Sequence, residues 1–506
     1  MKHKINKSNV IPAKAGICSI NRLINLRASV FEGITGEKIG KALVFLFFSL
    51  APCFIFAQGY KIEATVHNST DTVAYLGHHF ATQRYLDDTV NIIDGKAVFT
   101  GNKILEAGIY FYYTPTIYFE FLVENQQFSL ETTAPDFTAT MKVQNSKIND
   151  GFYSLQRFTG KMKSKNQALR TAYDSAKNEA DKERIKKQLT ELNKEVGAYQ
   201  NKLKLQYEGT FFARLITLMQ SPKVPETPEG VENPQLFRYE FYKNNFWEGI
   251  DIADPGLLRT PLLDAKIKDY LDNVIIQQSD SVIKEVDILI TQAEKSKEAY
   301  RFLLITLVNK YESSPVMDFD KVFVHIIENY YLTGKASEWT NKETLDKLKN
   351  RVAMIKPNFL GNDAPQLVLW DTLGNEVNLR DIDAEYTVLY FYAPDCGHCK
   401  KKTPVLYEAY PELVTKGVEI LAICTNTDEG EWKKFIKTND LGWINLADLE
   451  NKTYVKYYYD IRSTPTVYIL DKDKKILLKK VDALDIPDVI DQLIKQNELN
   501  NKELVP

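Results

Sequence analysis

Cys396 and Cys399 stand two residues apart in Cys396-Gly-His-Cys399, just beyond an apolar and aromatic run that ends at Tyr392. Thiols at positions i and i+3 of a first helical turn can close a small disulfide with little chain movement. The first of them also meets the unpaired N–H groups and positive dipole end that favour an anion. A thiolate stabilised in this way is a nucleophile near neutral pH. His398 offers a donor or a positive charge beside Cys399, and Lys400, Lys401 and Lys402 add a positive field, all acting downward on the thiol pKa. Two other readings compete. A structural zinc needs four ligands, and no second Cys-x-x-Cys or His-x-x-x-His accompanies the pair, so no metal is expected. Inert core cysteines would not need Pro394-Asp395 ahead of them or a polar helix after them. The redox reading is carried forward, and it calls for no cofactor.

The other candidate groups are weaker. The chain has five cysteines, the remainder being Cys18, Cys53 and Cys424, too few for a disulfide-stapled scaffold. Cys424 ends an apolar run and reads as a packed core thiol. His325 lies on an apolar helix face and reads as a core or partly exposed histidine. Gly36 to Lys41, "GEKIGK", resembles a phosphate loop but is one residue short and lacks Ser or Thr after the lysine. With 64 Lys+Arg against 67 Asp+Glu, the net charge of −3 gives no field that would gather nucleic acid.

The elements that must position the pair follow from the flanking text. Residues 357–506 give a hairpin turning at Leu373-Gly374-Asn375, then strand, helix opening at the cysteines, strand, helix, two strands and a last helix. Near-continuous apolar strands in that order predict a central sheet covered by helices. Residues 147–356 read as a helical domain. In it Ile185, Leu189, Leu192, Val196, Tyr199 and Leu203 alternate by four and three, a seam for an intramolecular helix pair. A proline-rich loop follows at 221–234, then successive antiparallel helices. Residues 58–146 read as short strands with turns at Asp94-Gly95 and Glu124-Asn125, taken as hairpins, and predict a small all-β sandwich. At 506 residues a multidomain chain is expected, with residues 1–57 as a targeting segment.

That segment carries Lys38 and Lys41, then an apolar run over 42–57 that stops at Gln58. The run is shorter than the ~20 residues a spanning helix needs, and Ala57 offers a small residue for cleavage. It predicts an exported precursor, placed in the cell envelope or periplasm. Ile55 departs from the Ala-x-Ala ideal, and the residues ahead of Lys38 make a long n-region. Two rivals remain: a lipoprotein box at Leu50 to Cys53, with Pro52 where a small residue is wanted, and an uncleaved anchor.

The set "GNDAPQLVLWDTLGNEVNLRDI", "LYFYAPDCGHCKKKTPVL", "VEILAIC" and "STPTVYIL" resembles the thioredoxin superfamily, in its exported TlpA/ResA-like branch, over residues 359–496. The resemblance implies a thioredoxin-like α/β fold and a thiol–disulfide oxidoreductase. By it Cys396 attacks and Cys399 resolves, the two forming the redox disulfide. Gly397 and His398 lie between them, Pro404 follows in the helix, and Pro465 is a cis-proline facing the pair with Thr464 before it. It also implies protein thiol or disulfide substrates and an upstream electron donor or acceptor. The Gly-His pair is similar to the disulfide isomerase motif and points to a poise less reducing than cytosolic thioredoxin. Two positions depart: Tyr390 stands where thioredoxins carry a buried acid, and Lys402 where the ResA-like branch carries Glu. The base for Cys399 is therefore not identified. Two alternatives stay open. One is a binding or sensing envelope protein with an accessory redox centre. The other is a peroxiredoxin-like peroxidase, which wants Thr at position 393, where this chain has Ala.

Overall fold

The computed structural model describes residues 59–503. The targeting segment, with Lys38, Lys41, Cys18, Cys53, Ala57 and Gln58, lies outside the described residues. The chain divides into two compact units, one running to Gln220 with Gly256–Asp264 added, the other holding Ser221–Pro255 and everything from Ala265 onward.

The first unit opens with eight strands: β1 (Tyr60–His67), β2 (Val73–Phe80), β3 (Gln83–Asn91), β4 (Lys96–Gly101), β5 (Gly108–Tyr113), β6 (Tyr118–Val123), β7 (Gln127–Thr133) and β8 (Lys142–Gln144). They form two four-stranded sheets, ordered β4-β1-β7-β8 and β3-β2-β5-β6. Alternate residues of β1, Tyr60, Ile62, Ala64 and Val66, are buried, as the period of a strand requires. Rings meet from opposite sheets in the pairs Phe99–Tyr112 and Phe121–Phe128, so the all-β sandwich expected from the sequence is present. The turns differ from expectation. Glu124-Asn125 does not make a hairpin, because β6 and β7 belong to different sheets and β7 runs parallel to β1. Asp94-Gly95 is a tight left-handed turn (φ 51° and 74°) bridged by Ile93 and Lys96, but it too carries the chain from one sheet to the other. Strand β3 escapes the alternation rule because none of its residues is buried.

Two long helices follow, α1 (Lys147–Ser175) and α2 (Glu179–Gln206). Asn178 caps the second, its Oδ1 accepting the Asp181 N–H at 2.8 Å. Ile185, Leu192 and Leu203 of the seam are buried, and Tyr199 stacks on Phe158 of α1 at 4.0 Å. The seam therefore closes an intramolecular antiparallel pair. Asn149, fully buried near the start of α1, fastens it to β6 by exchanging two hydrogen bonds with the Leu122 backbone.

In the second unit the helices α3 (Ser279–Ala293), α4 (Lys297–Glu312), α5 (Asp320–Ile326) and α6 (Lys342–Ile355) precede a seven-stranded sheet. His325 is partly exposed, its Nε2 lying 2.8 Å from Asp287 Oδ1. The sheet contains β9 (Val368–Trp370), β10 (Glu376–Asn378), β11 (Tyr386–Tyr392), β12 (Val418–Cys424), β13 (Ile444–Ala447), β14 (Thr466–Asp471) and β15 (Ile476–Lys479), ordered β10-β9-β13-β12-β11-β14-β15. Its helices are α7 (Gly397–Thr415), α8 (Glu429–Thr438) and α9 (Ile486–Glu503). All seven residues of β11 are buried, and alternation sends them to two cores. Val388, Tyr390 and Tyr392 pack with Leu406, Leu413, Trp432 and Ile490 from the helices, while Leu389 and Phe391 pack with Leu369, Leu446 and Tyr459. Strand β13 is an addition to the expected order; only four residues long, it carries no alternation. Among the described residues no helix is long and apolar enough to cross a membrane.

Candidate functional site

Strand β11 delivers the chain to the cysteines. Beyond Tyr392 the residues Ala393-Pro394-Asp395 make a turn closed by the Cys396 N–H donating to Ala393 O at 3.1 Å. Cys396 is then the N-cap of α7 in an extended conformation (φ −69°, ψ 121°), and Lys400 N–H returns to its carbonyl at 3.0 Å. Where a capping Ser or Asp would offer oxygen, Cys396 offers sulfur: Sγ accepts the Cys399 N–H at 3.4 Å. The neighbouring strand completes the site. Phe391 near the end of β11 lies opposite Thr466 at the start of antiparallel β14, so the residues just before Thr466 are brought level with the cysteines. The Thr464–Pro465 peptide is cis, and Thr464 O accepts from the Cys396 thiol at 3.1 Å.

The two thiols sit in unlike surroundings. Cys396 is partly exposed and Cys399 fully buried, and both are free thiols. Burial works to raise the Cys396 pKa. Hydrogen bonds from the Thr464 side chain, the Cys399 side chain and the backbone N–H groups of Cys399 and His398 outweigh it, so this thiol lies below its ordinary value. For Cys399 the balance reverses, and burial pushes the thiol up to about 12. The same Thr464 side chain acts downward on both sulfurs.

Of the residues singled out from the sequence, the structure gathers Cys396, Cys399, Thr464 and Pro465 at one place. Gly397 and His398 are exposed on the first turn of α7, and a side chain at 397 would meet open space. Pro404 lies inside the same helix. Lys402 does not point its charge at the pair alone, since its Nζ is bound 2.7 Å from Asp482 Oδ2. The leading stabilisers of the Cys396 thiolate are thus hydrogen bonds from Thr464, Cys399 and His398, where the sequence suggested a lysine field. Tyr390, at the position of the thioredoxin acid, is fully buried and shares a 2.8 Å hydrogen bond with Thr403 Oγ1. Its own desolvation raises its pKa, which removes it as a base at neutral pH. Cys424 is buried at the end of β12, its thiol pushed up to about 11 by desolvation, as a core thiol should be.

Sequence reasoning missed Asp482 and Thr403. Asp482 lies 80 positions from Lys402 and caps a single turn after β15; the Lys402 hydrogen bond and the Leu484 N–H hold its carboxyl below the usual range, and it also feels His398. Only the fold brings these groups together. Thr403 was legible in principle, being one turn beyond Cys399 on the same helix face.

Comparison with known proteins finds the AhpC/TSA family over residues 360–479, and two domains of unknown function, DUF5106 over 175–358 and DUF4369 over 60–152. A curated relative, "Thiol-disulfide oxidoreductase ResA" of Bacillus cereus, is 32% identical over 120 residues, 24% of this chain and 68% of that protein. Among solved structures, a thioredoxin-like protein from Bacteroides caccae is 21% identical, covering 54% of this chain and 98% of its own, at a TM-score of 0.44. A domain of a possible thiol-disulfide isomerase from Cytophaga hutchinsonii is 37% identical, covering 28% and 97%, at a TM-score of 0.27.

Proposed function

The chain belongs to the ResA-like thiol–disulfide oxidoreductases of the thioredoxin superfamily, and on that premise we propose that it is an exported enzyme exchanging disulfides with envelope proteins through Cys396 and Cys399. The observation that carries this reading is the asymmetry of the pair: an accessible sulfur stabilised as thiolate at a helix start, backed by a buried thiol one turn inside. The Cys396 thiolate attacks one sulfur of a substrate disulfide. The substrate S–S bond breaks, a mixed disulfide forms, and the first substrate sulfur departs as thiolate. Cys399 then gives up its proton, attacks Cys396 Sγ and expels the second substrate sulfur, leaving Cys396–Cys399 oxidised and the substrate carrying both electrons. Run backwards, the same steps oxidise a substrate dithiol.

Thr464 and the cis Pro465 flank the sulfur, and the exposed edge of that turn is where an extended substrate segment would lie. Gly397 leaves room for it, and His398 adds its backbone N–H to the thiolate. Export rests on the apolar run over 42–57, and the partners it implies are envelope proteins together with an electron donor or acceptor on the same side of the membrane. Trapping with Cys399→Ser tests the chemistry: mixed disulfides should accumulate through Cys396, whereas Cys396→Ser should accumulate few. Amino-terminal sequencing of envelope material tests the location and should find a chain beginning near Gln58; an intact precursor in the cytosol would overturn it.

A further inference from the structure

The segment leading into the cis-proline turn is held from outside the thioredoxin-like fold. Arg351 of α6 grips Asp460 with both terminal guanidinium nitrogens, Nη2 to Oδ2 at 2.9 Å and Nη1 to Oδ1 closer still. The two side chains are only 12% and 5% exposed. Glu312, the last residue of α4, lies 3.9 Å from Arg351 Nε and 3.4 Å from Arg462 Nη1. Asn358 Nδ2 donates to Tyr458 O at 2.7 Å. Asp460 itself adopts a left-handed backbone (φ 49°), uncommon for a residue with a side chain, and the bidentate fork fixes it there. Four residues later stands Thr464, whose carbonyl and side chain both address Cys396. Arg462 and Ser463 between them are exposed.

We propose that Arg351 is a positioning residue of the redox site, acting through Asp460 on the Thr464-Pro465 turn, so that helices α4 and α6 are part of the working oxidoreductase. The proposal rests on the reading of Cys396 as the attacking thiol. A guanidinium is needed because its planar fork fixes the direction of the Asp460 carboxylate, which an ammonium would not. Loosening that grip lets the Thr464 side chain drift from the sulfur it stabilises.

The test uses the full chain with Arg351→Ala, Arg351→Lys and, as a control, Lys479→Met. Lys479 of β15 binds Asp320 of α5 and the Asn358 carbonyl, so its loss breaks a second buried pair between a neighbouring helix and the sheet without removing a partner of residues 459–464. Two quantities are read: the pH midpoint of Cys396 alkylation and the equilibrium constant with glutathione. With Arg351→Ala the midpoint should rise by about 0.5–1 unit, the size of one weakened hydrogen bond to a thiolate. The equilibrium should move about 3- to 10-fold toward the enzyme disulfide, because the reduced form loses stabilisation. Arg351→Lys should restore part of both, and Lys479→Met should lower the unfolding midpoint while leaving both unchanged. If Arg351→Ala does not fold, Arg351→Lys and Glu312→Gln carry the test with smaller shifts of the same sign. An unchanged midpoint in a folded Arg351 variant, or an equal shift in Lys479→Met, overturns the positioning role. An unmutated chain whose Cys396 is unreactive near neutral pH overturns the redox reading itself, a different result.

Discussion

The sharpest consequence of the site is the gap in acidity between its two thiols. Burial lifts Cys399 from 9.0 to about 12, and since one pKa unit is about 1.4 kcal/mol, its thiolate is disfavoured by about 4 kcal/mol. Cys396 lies on the other side of 9.0. At any pH below both values the thiolate population of Cys396 therefore exceeds that of Cys399 by at least about 10³. The more basic thiolate is intrinsically more nucleophilic, and with a Brønsted slope of about 0.4–0.5 this returns a factor of about 20–30. What is left is a preference of at least ~30-fold for Cys396, before the burial of Cys399 hinders access further. Iodoacetamide labelling of the reduced chain across about pH 5 to 9, read by peptide mapping, measures both rates. Cys399→Ser keeps a side-chain donor beside Cys396 and should leave its midpoint nearly in place, whereas Cys399→Ala removes that donor and should raise it. Labelling of Cys399 at a rate equal to that of Cys396 would refute the reasoning, because it would mean that burial does not set its acidity.

Three further outcomes are expected. Thr464→Val removes a hydroxyl that acts on both sulfurs, and His398→Pro removes one of the N–H groups facing Cys396; each should raise the Cys396 midpoint by about 0.5–1 unit and make the disulfide less oxidising, measured in glutathione buffers. Because the Cys399 pKa is raised in the folded state, its contribution to stability is complete below the unfolded value near 9.0 and is lost as pH rises toward about 12. Denaturant titrations of the reduced chain between about pH 9 and 10 should therefore fall more steeply than those of Cys399→Ala, the slopes approaching a difference of about 1.4 kcal/mol per pH unit. Tyr390→Phe removes the buried partner of Thr403 and should cost about 1 kcal/mol in unfolding while leaving the pH profile of exchange unchanged, since Tyr390 is too weak an acid to serve as a base.

The cysteine pair, its helix and the flanking strands were legible because each announces itself locally, through i and i+3 spacing, continuous apolar strands and turn residues. Periodicity likewise found the α1–α2 seam, where Leu192 and Leu203 are buried as the four-three alternation requires. What stayed hidden depends on partners far away in the chain. Strand β3 has no buried face to write a pattern, and β7 reads as the second arm of a hairpin until its parallel pairing with β1 is seen. Composition changes near Lys356, yet single charged residues on either side of that point pair across it: Arg351 with Asp460, Asp320 with Lys479. A lone arginine in a helix carries no sign that its carboxylate lies 109 residues on.

The two departures from the family pattern converge on one mechanistic point. With Tyr390 at the acid's position and Lys402 engaged by Asp482, neither β11 nor the first turns of α7 bring a carboxylate to Cys399. The causes that keep Cys399 protonated nonetheless include the Cys396 side chain, both by hydrogen bonding and by charge. In the proposed exchange, once Cys396 is bound in a mixed disulfide its negative charge is gone, and the departing substrate thiolate would be a base generated at the site. Resolution is then coupled to attack. By this proposal Cys399 becomes competent when a substrate has been captured, and its burial would keep it unreactive before then. A substrate whose leaving thiol is strongly acidic yields a poor base. Such substrates should stay longer as mixed disulfides on Cys396, even in the unmutated chain. Resolution rates that rise with the pKa of the first-departing thiol, across model disulfides that leave the same second sulfur on Cys396, measured by rapid acid quench, would bear this out; rates independent of it would place the base for Cys399 elsewhere.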